Sequence, residues 1–320
     1  MAGELAIVLS GGGAKGAFQV GVLDELIVNR GVKIDIAVGT STGAIQALAV
    51  AQDDIPRLVQ FWSSLRKNGD IYVKRPLGVA SALLGSKSIY DARGLKKLLK
   101  EAADDTRLRA TGKKLRLGVV NLGTGVFRTI DETVPGVHNW VYASCAMPVF
   151  FEPLKTRAAD GTEEQWVDGG VRDVTPLSSA MDMNPRGIIV VRASPKPEPG
   201  RVQTYGDLIQ IGLRAVGILQ SEVSMNDLAN ATLINDMIAA RGAQFRALEA
   251  LGLSAEKAAA VLRPLDVQLA KYRFVPNCVI EPDKEYLDTL EFAPAKIAEA
   301  MEAGRAAVGR MWESIEPLLT

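Results

Sequence analysis

An α/β fold with a mainly parallel sheet, followed by a largely helical C-terminal portion, is what this 320-residue chain predicts. Three observations carry that expectation. Two short apolar runs, residues 4–9 and 34–38, are each followed by a small-residue turn and then a helical run. This strand–loop–helix order, repeated, implies parallel neighbours joined by helical crossovers packed on the sheet. Residues 188–192 read as a further core strand. Beyond the proline-rich stretch 194–200 the composition changes and helical patterns dominate. The expected division is an α/β core over residues 1–200 and a mostly helical portion over 201–320 packed on it.

The elements follow in order. Residues 10–16, Ser-Gly-Gly-Gly-Ala-Lys-Gly, form a glycine-rich loop after the first strand. Residues 17–29 place Phe18, Val22, Leu23, Leu26 and Ile27 on one helical face, and Gly31 closes that helix. The second strand turns through Gly39-Thr40-Ser41-Thr42-Gly43 into an Ala/Leu-rich helix at 44–51. Residues 56–66 read as helical, and 69–87 are ambiguous. Asp91 is placed to N-cap a helix over 92–103. Strands are expected at 115–121 and 126–130, a helix at 137–145, and a proline-bounded apolar segment at 147–153. A short strand at 164–167 runs into Asp168-Gly169-Gly170, and Thr175-Pro176 has the form of a helix start. Helices are expected over 205–234 and onward to 251, from 254 towards 263, and over 294–312, with a strand at 277–281.

Charge and composition exclude several classes. Lys plus Arg and Asp plus Glu both number 37, so the net charge is zero, which argues against a nucleic-acid binder. Cys145 and Cys278 lack metal-ligand spacing and read as buried thiols of a reducing compartment. The N-terminus lacks the basic start and cleavage site of a signal peptide, and the best apolar run, 208–219, is too short to span a bilayer and carries Arg214. The expectation is a soluble, cytoplasmic protein, with peripheral membrane contact and homo-oligomer formation left open.

The chemistry centres on Ser41. Strand, sharp turn and helix with Ser at the middle of Gly-x-Ser-x-Gly is the context of a nucleophile elbow, although the pattern alone also occurs in ordinary loops. Such a serine needs an oxyanion hole and a base. The backbone N–H groups of Gly11, Gly12 and Gly13 are placed to supply the first. The same loop also fits the dinucleotide fingerprint Gly-x-Gly-x-x-Gly. That reading needs an acidic residue at the end of the second strand, and Asp35 sits at its beginning. Two candidates exist for the base. His138 is the single histidine, but it precedes the carboxylate that should orient it. Asp168 follows a strand and precedes two glycines, which equally describes a plain hairpin turn.

Taken together, Gly11-Gly12-Gly13-Ala14-Lys15-Gly16, Gly39-Thr40-Ser41-Thr42-Gly43, the block Ala143 to Pro153 with Pro148, and Asp168-Gly169-Gly170 resemble the patatin-like phospholipase family over about residues 4–192. The resemblance implies a three-layer α/β/α fold and a lipid acyl hydrolase of phospholipase A, lysophospholipase or carboxylesterase type. It implies Ser41 as nucleophile, Asp168 as base, Gly11 to Gly13 as oxyanion hole and no metal or other cofactor. Lys15 takes the basic position of the loop, either as a head-group contact or as a surface charge at a helix start. Gly39, Gly43, Gly169, Gly170 and Pro148 support the site. Asp173-Val174-Thr175-Pro176 departs from the family, which often has Asn before that proline. The implied partner is a lipid or acyl-ester substrate. The apolar stretches 77–84, 147–151 and 208–219 are candidates for tunnel, lid or membrane dock, or for core packing. An acyltransferase or thioesterase on the same site, and a nucleotide-binding regulatory protein using the glycine loop, are the alternatives.

Overall fold

The computed structural model describes residues 3–76, 87–196 and 204–319. The apolar stretch 77–84 and residues 197–200 of the proline-rich stretch lie outside the described residues. Among the described residues the main sheet has eight strands. They are β1 (Leu5–Leu9), β2 (Ile36–Thr40), β5 (Lys114–Asn121), β6 (Phe127–Asp131), β7 (Leu154–Arg157), β8 (Glu163–Asp168), β9 (Gly187–Val191) and β10 (Asn277–Ile280). Their order is β10-β9-β1-β2-β5-β8-β7, with β6 also paired to β5. A separate two-stranded ribbon joins β3 (Val73–Lys74) and β4 (Tyr90–Asp91). From β10 to β5 the main sheet is parallel. β1, β2 and β9 are buried along their whole length, as parallel strands covered on both faces must be.

The helices form two layers. On one face Leu5, Ile7, Leu9, Ile189 and Val191 pack into the larger core with α1 (Ala17–Leu23), α2 (Thr42–Ala51), α3 (Ile55–Ser64) and α10 (Pro294–Arg310). On the other, Ala6, Val8, Ile36, Val38, Ile188 and Val190 meet α7 (Leu177–Met181) and the middle of α8 (Leu208–Ala250). The alternation follows from the two-residue period of a strand. The three-layer expectation therefore holds. The C-terminal segment contributes to both layers and to the sheet itself, through α10, α8 and β10. α10 lies so close to α1 that a Cβ on Gly304 would stand 2.1 Å from the Phe18 carbonyl oxygen.

One feature of the sheet positions the site. Residues Arg116 to Gly118 of β5 pair with both β2 and β6, and Val119 and Val120 pair with both β6 and β8. β2 and β8 therefore share one edge of β5, end to end. β2 runs parallel to β5 and ends at Thr40 opposite Gly118. β8 runs antiparallel and ends at Asp168 opposite Val119. The carboxyl ends of the two strands meet head to head on consecutive residues of β5.

Several local expectations shift. Helix 17–29 continues beyond Leu23 as a wider π-type turn, Asp24–Asn29. Asp91 accepts from the Arg93 N–H at 2.9 Å, but α4 (Arg93–Ala102) has Ala92 at its N-cap. Thr175 does not cap α7, whose N-cap is Pro176; its hydroxyl bonds that of Ser224 on α8 instead. α9 (Ala255–Leu269) runs on through Pro264, and beyond that point Asp266 takes both prongs of Arg241 from α8 at 2.6 and 2.8 Å. Besides the β3–β4 ribbon, two further elements were not foreseen. α5 (Asp105–Ala110) is a short helix capped by Asp104, and β7 is a charged edge strand whose exposed Lys155 and Arg157 mask its pairing. α6 (Val137–Cys145) lies where expected, and α11 (Trp312–Ile315) finishes the last helical run.

Candidate active site

Ser41 sits between β2 and α2 with φ 57° and ψ −127°, a conformation that side-chain-bearing residues rarely adopt and that persists only when the surroundings over-determine it. Those surroundings leave no latitude. A Cβ on Gly39 would stand 2.1 Å from the Gly43 carbonyl oxygen, and one on Gly43 would stand 2.1 Å from that of Leu9. Glycine is required at both places by close approach of backbone. The Ser41 N–H donates to the Ser144 hydroxyl at 2.9 Å, and Ser144 in turn donates to the Gly118 carbonyl at 2.6 Å. The Cys145 thiol donates to the Ser41 carbonyl at 3.2 Å. Burial pushes that thiol well above its ordinary range, which keeps it a donor.

Asp168, at the end of β8, is 1 % exposed. Its backbone N–H donates to the Ala146 carbonyl at 3.0 Å. Ser144, Cys145 and Ala146 thus fasten the backbone of both Ser41 and Asp168 in one stretch of three residues. The Ser41 hydroxyl lies within hydrogen-bonding reach of the Asp168 carboxyl, and the Gly170 N–H donates to it at 2.7 Å. Burial pushes the carboxyl up from 3.8 to about 7, against the lowering effect of those two donors. Gly169 packs on the Gly118 carbonyl, and Gly170 on the Gln220 amide of α8. The following loop is tied down by Thr175 and by Val174, whose carbonyl accepts from Gly11. Asp173, partly buried and near the charge of Asp227 on α8, is raised to about 7 by desolvation first and that neighbouring charge second.

The glycine loop is only partly what the sequence suggests. The Gly11 N–H donates to the Val174 carbonyl at 2.9 Å and is therefore occupied, so Gly11 supplies close packing against Ser41 rather than an oxyanion donor. The N–H groups of Gly12 and Gly13 have no protein acceptor among the described residues. Gly13 has φ 59° and presses on the Thr289 carbonyl, to which Ala14 donates at 2.8 Å. The Lys15 ammonium pairs with Glu285 at 2.6 Å, which fixes where the basic group of the loop stands. Gln19 holds the loop from below, donating to the carbonyls of Ser10 and Val191 at 3.0 and 2.9 Å.

Two apolar cavities adjoin these residues. A wide chamber of about 540 Å³ lies between Met147–Phe150, the Asp168 loop and the first turns of α8. Pro148 is in its wall, and Val149 at its rim has φ 73°. A narrow slot of about 50 Å³ opens beside Ser41 and Gly13, built on a cluster of rings that includes Trp62, Phe151 and Phe292. The segments 147–151 and 208–219 therefore line a cavity, as one of their expected roles required.

The structure separates the remaining candidates. His138 is the second residue of α6, six residues and about 9 Å of helix axis before Ser144. Asp35 accepts from the Leu5 N–H at 2.9 Å at the amino end of the sheet, away from the glycine loop. Among the described residues no cluster of acidic, Cys or His side chains could hold a metal, and no helix is long and apolar enough to cross a membrane. Ser144, Cys145, Gln19 and Thr289 escaped sequence reasoning. The first two stand inside the block already noted at 143–153, which was the available signal; Gln19 and Thr289 gave none.

The patatin-like phospholipase family matches residues 7–181. The Bacillus subtilis (strain 168) protein YqhO, itself uncharacterised, is 30% identical over 214 residues, covering 59% of this chain and 71% of YqhO. Triacylglycerol lipase SDP1L of Arabidopsis thaliana is 27% identical over 235 residues, covering 62% of this chain and 28% of the lipase, so the chain spans under a third of that relative. The crystal structure of VipD from Legionella pneumophila superposes with a TM-score of 0.46 at 17% identity, covering 98% of this chain and 67% of VipD. With the family match extending over more than half of its 320 residues, the chain belongs to the patatin-like phospholipase family.

Proposed function

We propose that this protein hydrolyses acyl esters of lipids through a Ser41–Asp168 dyad and an acyl-enzyme. Family membership supports lipid acyl hydrolysis in general; the assignment of roles is our reading of the site. Ser41 Oγ attacks the ester carbon while its proton passes to Asp168. The oxygen of the tetrahedral intermediate lies towards the N–H groups of Gly12 and Gly13, near the start of the helical turn that opens α1. Asp168 then returns the proton to the departing alcohol, and water repeats the sequence to release the acid. A carboxyl raised to about 7 is matched to that task, because it accepts a proton readily near neutral pH and gives it up again. The observation that carries the proposal is the head-to-head meeting of β2 and β8, which leaves a strained serine and a buried aspartate at neighbouring strand ends between two apolar cavities.

The same reading includes peripheral contact with a lipid surface. Leu208, Leu219, Val149 and Val171 are all more than half exposed at the rim of the chamber. Leu122 and Val126 continue that edge beside the Arg172–Gly125 hydrogen bond. Exposed apolar patches of this kind suit a surface from which an apolar substrate enters.

A fluorophosphonate probe and a medium-chain fluorogenic ester test the proposal. Labelling at Ser41, loss of turnover in Ser41→Ala and Asp168→Asn, and retained turnover in His138→Ala are expected. Full activity in Asp168→Asn refutes the base.

A further inference from the structure

The two cavities at the dyad each touch only one of its members. The slot has Ser41 and Gly13 in its wall, but not Asp168. The chamber has Asp168 and Gly170 in its wall, but not Ser41. Met147 lines both and stands between them. We infer that the slot takes the acyl group and the chamber takes the alcohol, so that the preferred substrates join a short acyl group to a bulky apolar alcohol. This rests on the proposed dyad and adds to it the direction in which the ester lies.

The chemistry sets that direction. As the bond from Ser41 Oγ to the ester carbon forms and the bond to the alcohol oxygen breaks, that oxygen takes the proton held by Asp168. The departing oxygen must then lie beside the carboxyl, and the rest of the alcohol must occupy the cavity that the carboxyl lines. The acyl carbon stays bonded to Ser41 with its oxygen towards Gly12 and Gly13, so its chain extends into the cavity that Ser41 and Gly13 line. Once the alcohol leaves, water enters the vacated chamber, gives its proton to Asp168 and its oxygen to the acyl carbon. Ser41 recovers the proton as the acid departs. Each step closes with water as the only added reactant.

Size sets the preference. The chamber holds about 540 Å³ and the slot about 50 Å³. Trp62, Phe151 and Phe292 in the slot wall are buried, and a packed interior of this kind resists expansion. Ile45 and Phe61 line both the slot and a separate groove of about 230 Å³ between α2, α3 and α4. They form the partition that a longer acyl chain would have to cross.

Dodecyl butanoate and butyl dodecanoate test the inference, because they are isomers of opposite polarity and can be presented in the same detergent micelles. The expected result is a kcat/KM for dodecyl butanoate at least about 10-fold higher, since even one methylene misfitted in a pocket costs roughly that factor. Phe61→Ala, or Ile45→Ala should Phe61→Ala fail to fold, shifts the ratio towards butyl dodecanoate. Val216→Phe, which fills the chamber, shifts it the same way by slowing the bulky alcohol. Equal rates, preference for butyl dodecanoate, or variants that leave the ratio unmoved overturn the inference. Cleavage of neither isomer while a fluorophosphonate still labels Ser41 overturns the inference alone. Absence of both labelling and ester cleavage overturns the dyad itself.

Discussion

The turn that carries Ser41 and the wall that closes the chamber lie side by side yet are built in different ways. At the turn, backbone packs on backbone. Both polar groups of the Ser41 peptide are held by Ser144 and Cys145, and no space remains at Gly39 or Gly43. At the chamber, the first turns of α8 lie over an apolar floor and touch it through side chains alone. A Cβ on Gly212 would meet the Phe150 ring at an ordinary 3.9 Å, and one on Gly217 would meet nothing within 4 Å. The contrast teaches where exactness is needed. A reacting atom must be held to a fraction of an ångström, whereas an apolar chain needs only volume and surface.

The largest effect that would break this contrast is expected at Gly43. Gly43→Val puts a branched side chain onto the Leu9 carbonyl, so β1 must part from the turn; loss of soluble folded protein, read by circular dichroism, is the expected outcome. Next comes Asp168→Asn. Beyond abolishing turnover, it should raise stability at pH 8. A carboxyl whose folded value is raised from 3.8 to about 7 favours the fold while protonated, and that contribution is lost as pH rises towards and through 7. The variant should therefore melt several degrees higher than the parent at pH 8 and no higher at pH 4. By the same ionisation, kcat/KM of the parent should fall about tenfold per unit below pH 7.

Ser144→Ala leaves the Ser41 N–H and the Gly118 carbonyl buried without their partner, at a cost of about 1–3 kcal/mol. If the pin positions the nucleophile, kcat falls roughly 5- to 150-fold with little change in KM, which corresponds to that energy. A change confined to melting temperature makes Ser144 purely structural. At the chamber rim, Leu219→Asp should weaken sedimentation with phosphatidylcholine vesicles by a few-fold, since one largely exposed leucine realises only part of the about 1.5–3 kcal/mol of full burial. Smallest of all, Gly212→Ala adds a methyl group where space allows and should stabilise α8 by about 0.5–1 kcal/mol, checked by denaturant melts.

Much of this was legible in the residues, and the reasons are local. The strands at β1, β2 and β9 announce themselves because full burial leaves them apolar throughout except for Thr40 at the end of β2, and Gly-x-Ser-x-Gly is readable because the glycines and the serine belong to one turn. Errors arose where a neighbour distant in sequence decided. Thr175 resembles a cap until Ser224 takes its hydroxyl. Gly11 resembles an oxyanion donor until Val174 accepts its N–H.

The sequence by itself determined the order of strands and helices, the strained turn at Ser41 and the residue types available for chemistry, because each of these depends on the period and size of adjacent side chains. Tertiary structure alone decided that β2 and β8 end on neighbouring residues of β5, that Ser144 reaches Ser41 across 103 positions, and that Gly11 among the three loop glycines has its N–H occupied. Those outcomes depend on register between strands, and register is fixed by the packing of the whole sheet rather than by any one segment of it.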